Sequence, residues 1–239
     1  MLQGGDIRFG DIVASALGWW AQAGVDSPVD EQPRDWLAAP ARPRPMRAAE
    51  AEPASQELPG DLAALHVFLA TGAVSPSPAP PRRRVAPSGD PASGLMVIAD
   101  MPDPGDEGRT LFASETAALF DAMMAAIGRD RASLYMAPLS PWRMPGGRID
   151  AACGEAFTAL MRRHVALVKP KAVLIFGDEA AKLLIGEACA ARPALRTFNH
   201  DGGTVAAAAT FHPRTLRRTP AAKAAAWAAL RPLIGVLAQ

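Results

Sequence analysis

The chain has 239 residues, 49% of them apolar, and a formal net charge of +1. That length buries one substantial core with some chain left over, and the apolar fraction fits a globular protein that lives in water. Two cysteines, Cys153 and Cys189, give no disulfide framework, no basic leader opens the chain, and no apolar run approaches the roughly 20 residues that cross a bilayer. A cytoplasmic protein with no membrane partner is expected.

Residues 9–23 read as an amphipathic helix carrying Ile12, Leu17, Trp19, Trp20 and Ala23, with Gly24 as its stop. Residues 26–57 carry Pro28, Pro33, Pro40, Pro43, Pro45 and Pro53 among Ala, Arg and Glu, which reads as a linker. A second short helix is expected over residues 58–71, with Asp61 near its start, Gly72 at its end and His66 in a structural role. Residues 75–93 are again rich in proline, and their Arg82-Arg83-Arg84 run reads as solvated, with contact to nucleic-acid backbone as the alternative.

The texture changes at Gly94. Short apolar runs at 95–99, 134–137, 171–176 and 205–210 read as buried strands. Residues 115–128, 149–168, 179–185 and the Ala-rich stretch after Pro220 read as helices, and residues 189–203 as irregular. Strands alternating with helices imply right-handed crossovers, hence a three-layer α/β/α sandwich around a four-stranded, mainly parallel sheet. The expected organisation is an N-terminal helix over 1–25, a Pro-rich linker with one short helix over 26–93, and an α/β domain over 94–239.

In such sheets ligands bind beyond the carboxyl ends of the strands. The residues just past those ends are Asp100, the stretch from Pro138 to Arg143, Gly177-Asp178 and His212. One carboxylate, one imidazole and a basic loop therefore converge on one rim. From Gly202 onward the chain holds Arg214, Arg217, Arg218, Lys223 and Arg231 and no acidic residue. Positive charge concentrated in a nearly neutral chain points to a polyanionic partner, with a solvated basic helix face as the alternative. No phosphate-cradling Gly-rich loop follows the first strand, which argues against an unrelated nucleotide-binding fold.

Several segments carry a pattern together: Ala99-Asp-Met-Pro-Asp103, Leu111-Phe-Ala-Ser114, the run from Leu134 to Arg148, the strand ending at Gly177, and His212-Pro-Arg-Thr-Leu-Arg-Arg218. In order and spacing they resemble the motifs of the uracil-DNA glycosylase superfamily, specifically its iron–sulfur (family four) branch. The resemblance implies an enzyme of base-excision repair that flips a base out of DNA and hydrolyses its N-glycosidic bond. Asp100 would position water and stabilise the cationic sugar, and His212 would stabilise charge on the departing base's carbonyl oxygen. Phe112 would stack on the flipped base, Pro138 would lie at its edge, and Arg143, Arg214, Arg217, Arg218 and Lys223 would meet DNA. DNA is the implied partner of a monomeric protein.

The chain departs from that pattern at three places. Pro138 stands where the family has the Asn that reads uracil, and it offers no side-chain hydrogen bond. Ala99 and Asp103 replace two glycines of the first motif. Of the family's four cluster thiolates only Cys153 has a match, and Trp142 takes its neighbour's place. A cluster needs its full ligand set, so none is expected, with Trp142 filling the volume and Cys189 serving structurally. Two readings stay open: an active DNA N-glycosylase, or a catalytically silent glycosylase fold that binds DNA or a partner.

Overall fold

The structure, a computed structural model, describes residues 9–24, 58–71, 83–189 and 194–238. The linker expected over 26–57 and Arg82 of the arginine run lie outside the described residues. The chain divides into two compact units, Met1–Ser55 and Gln56–Gln239. The first contains helix α1, Phe9–Gln22, in which Val13, Leu17, Trp19 and Trp20 are exposed.

The second unit runs through α2 (Leu62–Thr71), β1 (Ser88–Gly89), β2 (Leu95–Ala99), α3 (Ala117–Ala125), β3 (Tyr135–Pro138) and α4 (Ala151–Val168). It continues through β4 (Ala172–Phe176), α5 (Asp178–Ile185), β5 (Arg196–His200), β6 (Gly203–Thr210), α6 (Pro213–Arg218) and α7 (Lys223–Leu237). The strands form one sheet in the order β1-β3-β2-β4-β6-β5. Strands β3, β2, β4 and β6 are parallel neighbours, and β1 and β5 add to the two edges antiparallel.

The four-stranded sheet expected from the sequence is thus corrected to a mixed sheet of six, with the four parallel strands at its centre. Both added strands have a physical reason for escaping a pattern search. β1 is two residues long, too short for any period. β5 reads Arg-Thr-Phe-Asn-His and buries only Phe198, so the segment expected to be irregular has a single apolar contact to betray it. The connection from β5 to β6 is the two-residue Asp201-Gly202, since His200 pairs with Gly203. Asp-Gly between two extended runs is a strong hairpin signal.

Side-chain alternation splits the core into two clusters, one on each face. Met96, Ile98, Val173 and Ile175 pack with Leu65 of α2, Phe157 of α4 and Leu184 of α5. Leu95, Val97, Leu174 and Phe176 pack with Phe120 of α3, Leu216 of α6 and Leu230 of α7. Helices on both faces leave the central strands no wet side, which is why they read as continuous apolar runs rather than alternating ones. Among the described residues no helix is long and apolar enough to cross a membrane.

Helix α2 is fastened to this core by polar groups as well. His66 Nε2 lies 2.7 Å from the Tyr135 hydroxyl, and that hydroxyl lies 2.7 Å from His164 Nε2. Tyrosine has one hydroxyl hydrogen, so one imidazole donates to it and the other accepts. Burial keeps both rings neutral: it lowers the His66 pKa, and with the nearby His66 it takes His164 down to about 3. Arg84 adds a bond of 2.9 Å to the Leu69 carbonyl. Because Leu65 is fully buried, Leu65→Ala is expected to lower stability by about 2–5 kcal/mol in urea unfolding. A loss below about 0.5 kcal/mol, the usual effect of a surface change, would contradict a core role for α2.

Candidate active site

Asp100 follows β2 directly, and its backbone stays tied to both neighbouring strand ends. Its N–H donates to the Phe176 carbonyl at 3.0 Å, and its carbonyl accepts the Ser140 N–H at 3.1 Å. The residue is buried, and its Oδ1 accepts the Met101 N–H at 2.7 Å. Beside it, Gly177 follows β4 with φ +105°, and a Cβ there would come within 2.5 Å of Asp100 Oδ2. Only glycine supplies both the backbone angle and the space.

His212 follows β6 and caps α6. Pro213 occupies the first helical turn, where its missing N–H costs nothing. The imidazole Nδ1 accepts the Arg214 backbone N–H at 3.2 Å, so in the neutral ring the hydrogen sits on Nε2, an assignment made from the hydrogen-bond network. Nε2 lies 3.9 Å from Asp100 Oδ1 and 3.4 Å from Arg214 Nη1. Arginine has no lone pair to offer, so the second approach is a contact between like donors. Burial, then the positive charges of Arg214 and Arg143, push the His212 pKa well below the usual histidine value. The ring is therefore a neutral donor at physiological pH.

Arg214 reaches back across the site. Its Nη2 lies 2.6 Å from both carboxylate oxygens of Asp100, and its Nη1 donates to Asp103 Oδ1 at 3.1 Å and to the Met101 carbonyl at 3.4 Å. The Asp100 carboxyl feels opposing effects. Burial raises its pKa most, the charge and hydrogen bonds of Arg214 and the Met101 N–H lower it, and Asp103 raises it again; the net shift is upward.

The loop from Asp100 to Phe112 is organised by a carboxylate that the sequence did not single out. Asp106, 1% exposed, accepts the N–H groups of Phe112 and Ala113 at 2.9 Å each and of Asp103 at 3.2 Å. Asp103, where the motif has glycine, accepts the Thr116 hydroxyl at 2.8 Å. These bonds hold Phe112 at φ 55°, a left-handed conformation that costs a non-glycine residue about 1–2 kcal/mol. Arg131 closes the turn from outside, donating to the Phe112 carbonyl at 2.7 Å. The Phe112 ring consequently lies 4.2 Å from Phe120 in a parallel stack and 5.2 Å from the His212 ring, and it is fully buried.

The remaining candidates separate into two groups. Pro138 ends β3, buried and paired with Ala99. Arg143 is half-buried, with Nη1 3.4 Å from the Pro102 carbonyl. Asp100, His212, Phe112, Arg143 and Arg214 thus share one locus at the strand ends. Arg217 is exposed and paired with Glu115 at 2.6 Å, and Arg218 and Lys223 are exposed on the surface. Arg214, expected at the DNA surface, is the one basic residue of this stretch that turns inward to carboxylates.

The four-thiolate cluster implied by the resemblance does not fit these residues. The whole chain has two cysteines. Cys153 is buried in the apolar cluster that contains Trp142, which packs edge-on to Phe157 at 5.6 Å under the Arg84 guanidinium at 5.1 Å. Cys189 belongs to the same apolar cluster and bonds to the main chain, its thiol 3.0 Å from the Thr210 carbonyl. Among the described residues, no three or more His, Cys, Asp or Glu side chains group to hold a metal ion.

No curated protein matches the chain. The sequence model of the uracil DNA glycosylase superfamily matches residues 86–231, which contain Asp100, Phe112, Pro138, Arg143, His212 and Arg214. That match spans more than half of the chain, from before the first edge strand into α7, and the chain belongs to the uracil DNA glycosylase superfamily.

Proposed function

We propose that the protein is a DNA N-glycosylase that takes up a base flipped from DNA and hydrolyses its N-glycosidic bond, opening base-excision repair. The observation that carries this reading is the pairing of a buried carboxylate, Asp100, with a buried neutral imidazole, His212, 3.9 Å apart. Breaking the bond leaves positive charge on the sugar and negative charge on the base. A charged Asp100 stabilises the first and orients the attacking water; the His212 Nε2–H donates to the carbonyl oxygen on which the second collects. Water's hydroxyl ends on the sugar carbon and its proton on the released base.

Pro138 supplies no edge-reading hydrogen bond, so uracil selection by that contact is not part of the proposal. Exposed Arg217, Arg218 and Lys223 suit phosphate contacts, and Arg143 suits a contact nearer the base. With two cysteines in the sequence, no iron–sulfur cluster enters the reading. Every group it uses comes from one chain, which suits a monomer, and two buried thiols suit the cytoplasm. A catalytically silent DNA-binding module is the second reading. It draws on Phe112, which has no exposed face for a base, and on the Arg214 contacts to both Asp100 oxygens.

Single-turnover assays on oligonucleotides carrying uracil, hypoxanthine or xanthine decide between the two. Release of at least one base is expected, falling about 10²–10³-fold in Asp100→Asn and in His212→Ala. If none is released, while binding to DNA weakens when Arg217 and Arg218 are neutralised, the silent module stands.

The pH profile gives a separate check. Asp100 works as an anion and its pKa is raised, so activity is expected to fall as pH drops through a value above the ordinary carboxylate range. The His212 pKa is lowered well below the usual histidine value, so no inflection near neutral pH should disappear in His212→Gln; one that does contradicts its role as a neutral donor. The purified protein should also lack the broad band at about 400 nm of an iron–sulfur centre. Finding that band would overturn the cluster-free reading.

A further inference from the structure

Basic residues after the last strand would all be assigned to DNA phosphate on charge alone, yet Arg214 is placed differently from its neighbours. Its side chain is 27% exposed, against 46% for Arg217. Arg217 answers to Glu115, itself 82% exposed on the surface. Arg214 answers to Asp100 and Asp103, whose side chains are 7% and 6% exposed.

The loop after β2 carries three buried carboxylates, and each needs compensation to remain charged. Asp106 has three backbone N–H groups and Asp103 has the Thr116 hydroxyl. Asp100 has one N–H, from Met101, and the like charge of Asp103 nearby. The other groups that face it are the neutral His212, the backbone of Gly177 and the Cys189 thiol, whose pKa is pushed up by burial first, then Asp178 and, to a smaller extent, Asp100. Arg143 acts on His212. Among the described residues, Arg214 is the one permanent cation in contact with Asp100.

We propose that Arg214 is a positioning residue for the glycosylase reaction, holding Asp100 ionised and fixed in orientation, and that it is not a ligand of DNA phosphate. The assignment rests on Asp100 being the working carboxylate of the proposed reaction. It also leaves that carboxylate usable. A carboxylate has about four acceptor positions; Met101 and Arg214 take those of Oδ1, and Arg214 takes one on Oδ2. One position on Oδ2 remains for water.

The test compares wild type with Arg214→Met, Arg214→Lys and Arg214→Ala. Proteins labelled with ¹³C at aspartate carboxyls are titrated by NMR, with Asp100→Asn identifying the resonance. The Asp100 titration is expected to move to higher pH in Arg214→Met and less far in Arg214→Lys, which keeps the charge but loses the planar fork. Millimolar guanidinium added to Arg214→Ala should draw it back. The slope of log binding constant against log salt should match wild type in all three. A titration that does not move, or a slope smaller by about one, the signature of a lost phosphate contact, overturns the proposal. Arg214→Lys keeps the comparison available if the neutral variants fail to fold. The titration needs no turnover, so a shift in a protein that releases no base sinks the catalytic reading while the counter-ion assignment survives.

Discussion

A carboxylate stays charged at the buried end of a β-strand only where hydrogen-bond donors or a cation meet it. The loop after β2 holds three such groups, and the way each is met organises the site. Asp106 draws in backbone N–H groups and by doing so forces Phe112 into its left-handed turn beside His212. Asp103 takes the Thr116 hydroxyl at the start of α3 and shares Arg214 with Asp100. Arg214 lies 114 residues beyond Asp100, so one guanidinium ties the β2 loop to α6.

The sheet order explains how Asp100 and His212 meet. They follow β2 and β6, which are not neighbours, because β4 lies between them. Two strand spacings come to about 9–10 Å, yet the side chains approach to 3.9 Å. They do so across the end of β4, where Gly177 projects no side chain between them. A residue of any other kind there would meet Asp100 first. The glycine at the middle strand end is thus a condition of the pairing, and its identity follows from the neighbours it separates.

This also sets what the sequence disclosed. Asp100 and His212 were legible because apolar runs locate the parallel strands and the residue after each strand lies on the ligand-binding rim. The four central strands were legible for the same reason: buried on both faces, they leave unbroken apolar runs. Edge strand β5 was not, since a strand with one buried residue in five carries no period, although Asp201-Gly202 held the turn signal. The inward turn of Arg214 was invisible because its carboxylate partners sit more than a hundred residues earlier, and its charge together with the family resemblance assigned it to DNA. Asp106 resembled an ordinary turn residue in Asp-Pro-Gly-Asp; its partners are backbone groups, which sequence does not display. The second short helix looked like part of a linker because proline-rich chain surrounds it, while Leu65 and the His66–Tyr135–His164 chain bind it to the core.

The central claim is that Asp100 presents a negative charge to a sugar that becomes positive. Its most direct test is binding of DNA containing a cationic pyrrolidine abasic analogue against the same duplex with a neutral tetrahydrofuran site. Tight binding of transition-state mimics by at least about a hundredfold is the general expectation. The account predicts that preference for the cation in wild type and its loss in Asp100→Asn. Equal affinity of the wild-type protein for the two duplexes would contradict it.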